Sequence, residues 1–418
     1  MQEKIHLNVA SEVGTLEAVI IHSPGPEVEN MTPQNAERAL YSDILNLSVL
    51  GQEYSVFKQL LERMTRTFEV QQLLTEVVHN DTARGFLLEA ICRNEQAEDI
   101  FTDLSALSAP ELARQLIQGV PLKKDTLTGF LSSERYALQP LHNFFFTRDA
   151  AVTINKHIHI SRMRSRVRER ESLIMETIFR YHPLFDAEGI VTPTYDMSES
   201  KTYIEGGDVL VVREDLILIG IGARTSAQGV DFFLEHLKKS GKNYHIIIQE
   251  LPESPESFIH LDMVFTIIDR DLFMIYEPVI LSKHDFQTVR ISIENGSVAL
   301  IREEKNLLHA LSKLGLEGSY ALCGGPKDSW SQEREQWHSG TNFFALGPGK
   351  IMGYSRNMYT LDELANHGFA VIRGKDILKG RTDPGDHGRC VITIDGSELP
   401  RGGGGCRCMT MPIKRSPL

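Results

Sequence analysis

The strongest constraint on the fold of this 418-residue chain is a unit that recurs along it. A short polar stretch leads into an apolar strand, then a tight turn, then a second apolar strand. The first copy is Thr147-Arg148-Asp149 before strand 150–154, with a turn at Asn155-Lys156 and a return along 158–160. Glu205-Gly206-Gly207-Asp208 precedes 209–212, the turn Arg213-Glu214-Asp215 and 216–219. His260-Leu261-Asp262 precedes 264–268, the turn Asp269-Arg270-Asp271 and 272–276. Gly340-Thr341-Asn342 precedes 343–346, the turn Gly347-Pro348-Gly349 and 350–354. Helical periodicity follows several copies, as at 168–180 and 229–239. Copies spaced by roughly 50–80 residues point to repeated ββα modules in an α/β chain. An ordinary mixed sheet with hairpins would share the strand-turn-strand look. It would not place acids and amides at the same strand end each time. If the modules close in a ring, those ends converge on one pocket.

Outside the repeats, an apolar run at 16–22 ends at Ser23-Pro24-Gly25-Pro26 and reads as a buried strand entering a turn. From about Thr67 to Pro121 there is almost no strand signal. Leucine and isoleucine recur there at helical spacing in 70–78, 84–92, 98–107 and 110–119, with Asp103 and Ser108 as helix-start residues. The expected organisation is a small helical insertion at 67–121 within a catalytic α/β unit made of 1–66 and 122–418.

A formal charge of −12 argues against a protein that tracks nucleic-acid phosphates and suits a cationic ligand. No apolar run approaches the roughly 18–20 residues of a membrane span. The start, Met1-Gln2-Glu3-Lys4-Ile5-His6, has no basic region followed by an apolar core, so no signal peptide is expected. The cysteines, Cys92, Cys323, Cys390, Cys406 and Cys408, are odd in number and scattered, which favours a reducing, cytoplasmic setting over a disulfide framework.

The C-terminal stretch Arg401-Gly402-Gly403-Gly404-Gly405-Cys406-Arg407-Cys408-Met409-Thr410 carries the strongest chemical signal. Its glycines permit unusual backbone angles and close approach to a ligand. A cysteine beside Arg407 is expected to have a lowered pKa and to be a thiolate nucleophile. A flexible tail or half of a metal site would also fit this segment alone. The metal reading is weaker, because no second Cys or His pair stands at zinc spacing and His387 is remote. In His260-Leu261-Asp262, read as strand, imidazole and carboxylate two residues apart share a face, which suits a general acid. Glu205, Asp208 and Asp149 add further carboxylates, each of which could instead be a turn acid bonded to backbone amides. Together, a Cys, a His and several acids describe a nucleophile and a proton carrier in an acidic pocket. Converging carboxylates are costly to bury unless a cation neutralises them, and a planar guanidinium uses paired carboxylates best.

These residues resemble the arginine deiminase family of the guanidine-modifying enzymes over nearly the whole chain. The resemblance rests on Ser11-Glu12-Val13-Gly14-Thr15-Leu16, His22-Ser23-Pro24-Gly25-Pro26-Glu27, Asn143-Phe144-Phe145-Phe146-Thr147-Arg148-Asp149, Met163 with Arg168, and Glu205-Gly206-Gly207-Asp208. It continues in Ala223-Arg224-Thr225, His260-Leu261-Asp262, Arg334-Glu335-Gln336-Trp337, Asn342 and Arg407-Cys408-Met409-Thr410. It implies a five-bladed pseudo-symmetric α/β propeller of ββαβ modules with a helical-bundle insertion. It implies Cys408 as nucleophile, since the family motif places Cys directly before Met, and His260 as general acid/base. Asp149 and Asp262 would hold the guanidinium, and Glu205 would orient His260. Asn143, Arg168 and Arg224 match positions that receive the α-carboxylate, and Phe146 a wall along the aliphatic chain. Asp208, Arg401 and Gly402 complete the implied substrate-binding set. The implied reaction converts free L-arginine to citrulline and ammonia through an amidino-thioether on Cys408, with no cofactor and no metal.

Three departures from the family stand out. Gly403 occupies a position where some members carry a carboxylate-binding arginine, so part of the α-carboxylate recognition is expected either to be weaker or to come from Arg401. Ser339 stands where an acid often precedes the Gly, and Tyr41-Ser42-Asp43 replaces a more acidic run. The expected partner is L-arginine, without nucleic acid or membrane, and the chain is expected to form a homo-oligomer. The competing readings are a deiminase of agmatine or of a modified arginine, and a non-catalytic arginine-binding or adhesin role.

Overall fold

Each recurring unit folds as an antiparallel hairpin, because two short apolar runs joined by two or three polar residues can bury both strands only by turning back. The computed structural model describes residues 3–32, 36, 40–41, 43–192, 201–281 and 286–418. The hairpins pair Ala151–Ile154 with His157–Ile160, Val209–Arg213 with Leu216–Ile221, Phe265–Asp269 with Leu272–Ile275, and Phe344–Gly347 with Lys350–Tyr354. The turns take the left-handed conformation where a tight reversal needs it, at Asn155 (φ 51°) and Gly349 (φ 66°).

In every case the second strand also pairs in parallel with a third strand that arrives after a helix. His157–Ile160 takes Gly189–Val191 after helix Glu169–Tyr181, and Leu216–Ile221 takes Tyr244–Glu250 after helix Ala227–Lys239. Leu272–Ile275 takes Ser319–Leu322 after helix Leu307–Lys313, and Lys350–Tyr354 takes Cys390–Ile394 after helix Met358–Asn366. A parallel partner requires such a crossover. A fifth set with the same order joins the two ends of the chain. Met411–Arg415 runs antiparallel to Leu16–Ile21, which pairs in parallel with Arg66–Glu69 after helix Leu47–Met64. The result is a mixed α/β fold with separate sheets, none of which closes on itself among the described residues.

The helical segment follows directly. Val70–Val77, Asp81–Glu95, Phe101–Ser105 and Ala109–Gln118 turn Leu73, Leu87, Leu88, Leu112 and Leu116 into a cluster shared with Ile158, Ile174 and Ile178 of the first module. The buried Arg170 bridges the two, pairing with Glu95 at 2.8 Å and donating to the Leu116 carbonyl at 3.0 Å. Two sequence expectations are corrected here. Residues 67–69 belong to a strand, and with four residues between two helices Arg66–Glu69 is too short to show an alternating pattern. Asp103 lies inside Phe101–Ser105, because a 3-10 turn at Glu98–Ile100 has already begun the helical path. Ser108 does stand just before Ala109–Gln118, although its side chain makes no capping hydrogen bond. Among the described residues no helix is long and apolar enough to cross a membrane.

The entrances to the first strands of the five sets are tied to one another in sequence. The Gly206 N–H donates to the Asp149 carbonyl (3.0 Å), and the Leu261 N–H donates to Asp208 Oδ1 (2.9 Å). Asn342 Nδ2 donates to the Asp262 carbonyl (3.2 Å), and the Cys408 N–H donates to Asn342 Oδ1 (3.1 Å). The Arg148 N–H then donates to the Cys408 carbonyl (3.1 Å), which returns to the first set.

Leu112→Ala is expected to lower stability by about 2–5 kcal/mol by opening a cavity in the shared cluster. Both tryptophans, Trp330 and Trp337, lie in the helix Ser329–Trp337, outside the helical segment at 70–118. Their fluorescence transition in urea should therefore shift together with the circular-dichroism transition. A shift in dichroism with an unmoved tryptophan transition would make the helices a separate folding unit.

Candidate active site

The turn that carries Cys408 is held from several sides. The Met409 N–H donates to the Gly405 carbonyl (3.3 Å) and the Thr410 N–H to the Arg407 carbonyl (3.1 Å), which forms a tight helical turn. Upstream, the Glu53 carboxylate accepts from the backbone N–H groups of Ser397 (2.7 Å), Glu398 (3.0 Å) and Leu399 (3.0 Å). The Tyr354 hydroxyl donates to the Gly404 carbonyl at 3.0 Å. A side chain at residue 404 would place its Cβ 2.5 Å from the Phe146 ring and 3.0 Å from Cys408 Cβ, so only glycine lets this strand of loop pass.

Cys408 opens onto a cavity of about 310 Å³, near the lower end for small-molecule sites. Asn143, Phe146, Asp149, Arg168, Arg224, His260, Arg401 and Gly402 line it with Cys408, and so do Met263 and Trp337. Glu205, Asp208 and Asp262 sit directly behind and are fully buried. The structure thus brings all the sequence-derived site residues to one place. Cys406 is buried away from the cavity wall.

Two charge networks meet at the sulfur. On one side, Asp262 Oδ2 lies 3.8 Å from Cys408 Sγ and 2.7 Å from Arg407 Nη1, and Glu12 clamps the same guanidinium at 3.0 and 3.1 Å. On the other side, His260 Nε2 is 3.0 Å from Glu205 Oε2, and His260 Nδ1 is 3.7 Å from Asp149 Oδ1. Neither that Nδ1 nor that Oδ1 has a hydrogen-bond partner among the described residues, so both are available to a ligand. Arg168 meets three carboxylates, Asp149 and Glu171 at 2.8 Å each and Glu205 at 4.0 Å. Arg224 Nη1 lies 3.9 Å from Glu205 and makes no hydrogen bond.

Burial works against charge on both members of the His260–Glu205 pair, but neighbours override it. Arg224, His260 and Arg168 bring the Glu205 carboxyl down to about 2. Asp149, the Glu205 hydrogen bond and Asp208 raise the His260 imidazole to about 9. Asp208, with less compensation, is pushed up to about 7 by burial. Asp149, Glu205 and His260 offer ligand atoms within 4.8 Å of one another, a spacing a metal ion could use. Here the two acids are matched instead by Arg168, Arg224 and the imidazolium.

Two local expectations are corrected. Residues 261–263 form a 3-10 turn rather than strand, so His260 and Asp262 do not project together. They take different partners, His260 pairing with Glu205 and Asp262 with Arg407. Arg407 does not yield a resting thiolate either. Burial, Asp262 and Asp149 push the Cys408 thiol well above its usual range, and Arg407 counters only weakly because its guanidinium faces Glu12 and Asp262. Arg401, beside Gly403, is paired with Glu398 at 2.6 Å and with Asp43. Ser42 lies outside the described residues. Sequence reasoning missed the roles of Glu12, Glu53 and Glu171. Glu12 and Arg407 stand 395 positions apart, and no local pattern could pair them.

Comparison with known proteins identifies this arrangement. The sequence model described as "Arginine deiminase" matches residues 37–415. The chain belongs to the arginine deiminase family. It is similar to the arginine deiminase of Bacillus cereus, 33% identical over 437 aligned residues and the full length of both chains. It also resembles those of Mycoplasma capricolum (32%, covering 100% of this chain and 99% of the other) and Streptococcus equi subsp. zooepidemicus (30%, full length). Among solved structures, an amidinotransferase of saxitoxin biosynthesis from Microseira wollei shares the fold at a TM-score of 0.55 and 13% identity, covering 99% of this chain and 98% of that one. A dimethylarginine dimethylaminohydrolase aligns at 0.50 and 13%, covering 95% and 99%.

The His260–Glu205 pair sets a pH window for stability. A His pKa raised to about 9 contributes stability in full below the unfolded value near 6.5 and loses it as pH rises through 9. A Glu pKa held at about 2 contributes above roughly 4.5 and loses it as pH falls through 2. Glu205→Gln should bring the His260 pKa down towards its ordinary value, read from the imidazole proton shifts by NMR. An unmoved titration would remove Glu205 from this role.

Proposed function

We propose that this chain hydrolyses free L-arginine to L-citrulline and ammonia, with Cys408 as nucleophile. One observation carries the reading: a thiol, an imidazolium and the Asp149 carboxylate line one cavity, with the Asp262 carboxylate 3.8 Å from the sulfur behind its wall. Acids placed near the sulfur and the imidazolium suit a planar cation. Met263, Phe146 and Trp337 offer an apolar wall for the aliphatic chain. Arg224 and Asn143 line the same cavity and are assigned to the α-carboxylate, Arg224 Nη1 having no hydrogen bond among the described residues.

The charges define the cycle. A guanidinium between Asp149 and Asp262 offsets the two carboxylates that hold the thiol proton, so that proton is released as substrate binds. Cys408 Sγ forms a C–S bond to the guanidinium carbon, in a geometry fixed by the two acids. His260, protonated at rest, gives its Nδ1 proton to the departing nitrogen as the C–N bond breaks, and ammonia leaves. The cationic amidino-thioether remains. Water then adds to the same carbon while His260 takes its proton. The C–S bond breaks, the proton of the protonated urea returns to the Cys408 sulfur, and neutral citrulline departs. The residues named supply every charge in this scheme without a cofactor or metal.

The module order supports a finer reading of the fold. The five three-stranded sets and the chain of hydrogen bonds between their entrances are consistent with a five-bladed propeller whose axis passes the site. The helices at 70–118 would then be an insertion on the first module. The free, buried cysteines suit a reducing cytoplasm.

A specific observation keeps a second substrate in view. Arg168 and Arg401 are both bound to acids, which leaves Arg224 to bear most of the preference for a carboxylate. Citrulline formation from L-arginine, assayed beside Cys408→Ser, decides the main reading. The variant is expected to lose at least about a thousandfold in kcat. Activity on agmatine with none on arginine would replace the substrate, and citrulline from neither would remove the deiminase reading.

A further inference from the structure

Four of the five strand entrances carry a group with an obvious place in the chemistry: Asp149, Asp208, Asp262 and Cys408. The fifth carries Asn342, a neutral amide that the reaction does not use. Its amide nevertheless makes three hydrogen bonds. Its Oδ1 accepts from two successive backbone N–H groups, those of Arg407 (3.0 Å) and Cys408 (3.1 Å), while its Nδ2 donates to the Asp262 carbonyl at 3.2 Å. The two N–H groups open the helical turn 405–410 and have no partner within it. Asn342 caps them as a preceding Asn would, but from 65 residues away.

The amide is itself anchored. Its own N–H donates to the Ser339 carbonyl (3.1 Å), the Thr341 hydroxyl donates to the Met263 carbonyl, and the Thr266 hydroxyl donates back to the Thr341 carbonyl (2.6 Å). Gly405 lies against it so closely that a Cβ there would be 2.6 Å from Asn342 Cβ and Oδ1. We infer that Asn342 is the positioning residue that fixes the nucleophile turn relative to Asp262, so that sulfur and guanidinium-binding carboxylate meet at a set distance. An acid would keep the two acceptor bonds but would add a carboxylate beside a thiol that Asp262 and Asp149 already burden. Asparagine supplies the cap without the charge.

The inference rests on the deiminase reading for its kinetic consequence, and its structural part can be tested separately. Asn342→Leu keeps the approximate volume and removes all three bonds. It is expected to cut kcat about a hundredfold, since misplacing reacting groups by about an ångström has that effect, with KM within about threefold. Hydrogen exchange of the segment 405–410 should speed up while the rest of the chain keeps its protection. Asn342→Asp keeps the two acceptor bonds to the turn but gives up the Nδ2 bond to the Asp262 carbonyl. It is expected to preserve more of that protection than Leu and to recover part of kcat, with the pH at which Cys408 is alkylated by iodoacetamide moved upward by about one unit.

Wild-type kcat in Asn342→Leu, or unchanged exchange at 405–410, overturns the inference. An Asp variant no better than Leu at any pH does so too. If Leu prevents folding, the exchange and alkylation profiles of the Asp variant decide alone. A wild-type protein that makes no citrulline sinks the deiminase reading, while the exchange experiment still decides whether Asn342 anchors the turn.

Discussion

Five strand entrances linked in a circle of hydrogen bonds impose the condition under which the rest of this molecule must work. They bring Asp149, Asp208, Asp262, Asn342 and Cys408 together although these residues span most of the chain. Acids gathered in this way cannot stay buried and charged without cations close by. The structure meets that demand with Arg168 against Asp149, Arg407 against Asp262, and His260 with Arg224 against Glu205. Even the supporting cations are held in turn, Arg407 by Glu12 and Arg168 by Glu171. The polar centre is therefore a near-continuous alternation of opposite charges, and the apolar sheets around it set its dimensions.

That alternation also bears on the Cys408 thiol. An isolated cysteine beside an arginine would be expected to ionise early. Here the arginine is turned to two carboxylates, and the sulfur faces one of the same carboxylates at 3.8 Å. Burial and these carboxylates push the thiol pKa up, and a cation placed between them would lower it. A site of this kind is selective in its reactivity as well as in its binding, because the charge of the ligand switches on the group that attacks it. Neutral electrophiles meet a protonated sulfur behind the Phe146 ring and the glycine loop.

Much of this could be read from the sequence, and the exceptions have physical causes. The hairpins at 151–160, 209–221, 265–275 and 344–354 were visible because each is local, apolar and closed by a polar turn. The fifth set was not, since its strands come from opposite ends of the chain and no local pattern joins Leu16–Ile21 to Met411–Arg415. The site residues were legible as types at strand entrances. Their angular relations were not, because the 3-10 turn after His260 replaces the alternation of a strand. The charge state of Cys408 failed for a similar reason: Arg407 is adjacent in sequence, but its guanidinium is directed elsewhere by Glu12, a partner invisible from any window around it.

The fifth set has one more consequence. Its closing strand, Met411–Arg415, follows Cys408 by three residues and docks against the first long strand of the chain. The Cys408 thiol is thus held by a pairing between strands nearly 400 positions apart, and a substitution that loosens Leu16–Ile21 would reach the sulfur through Met411–Arg415 without touching the cavity wall.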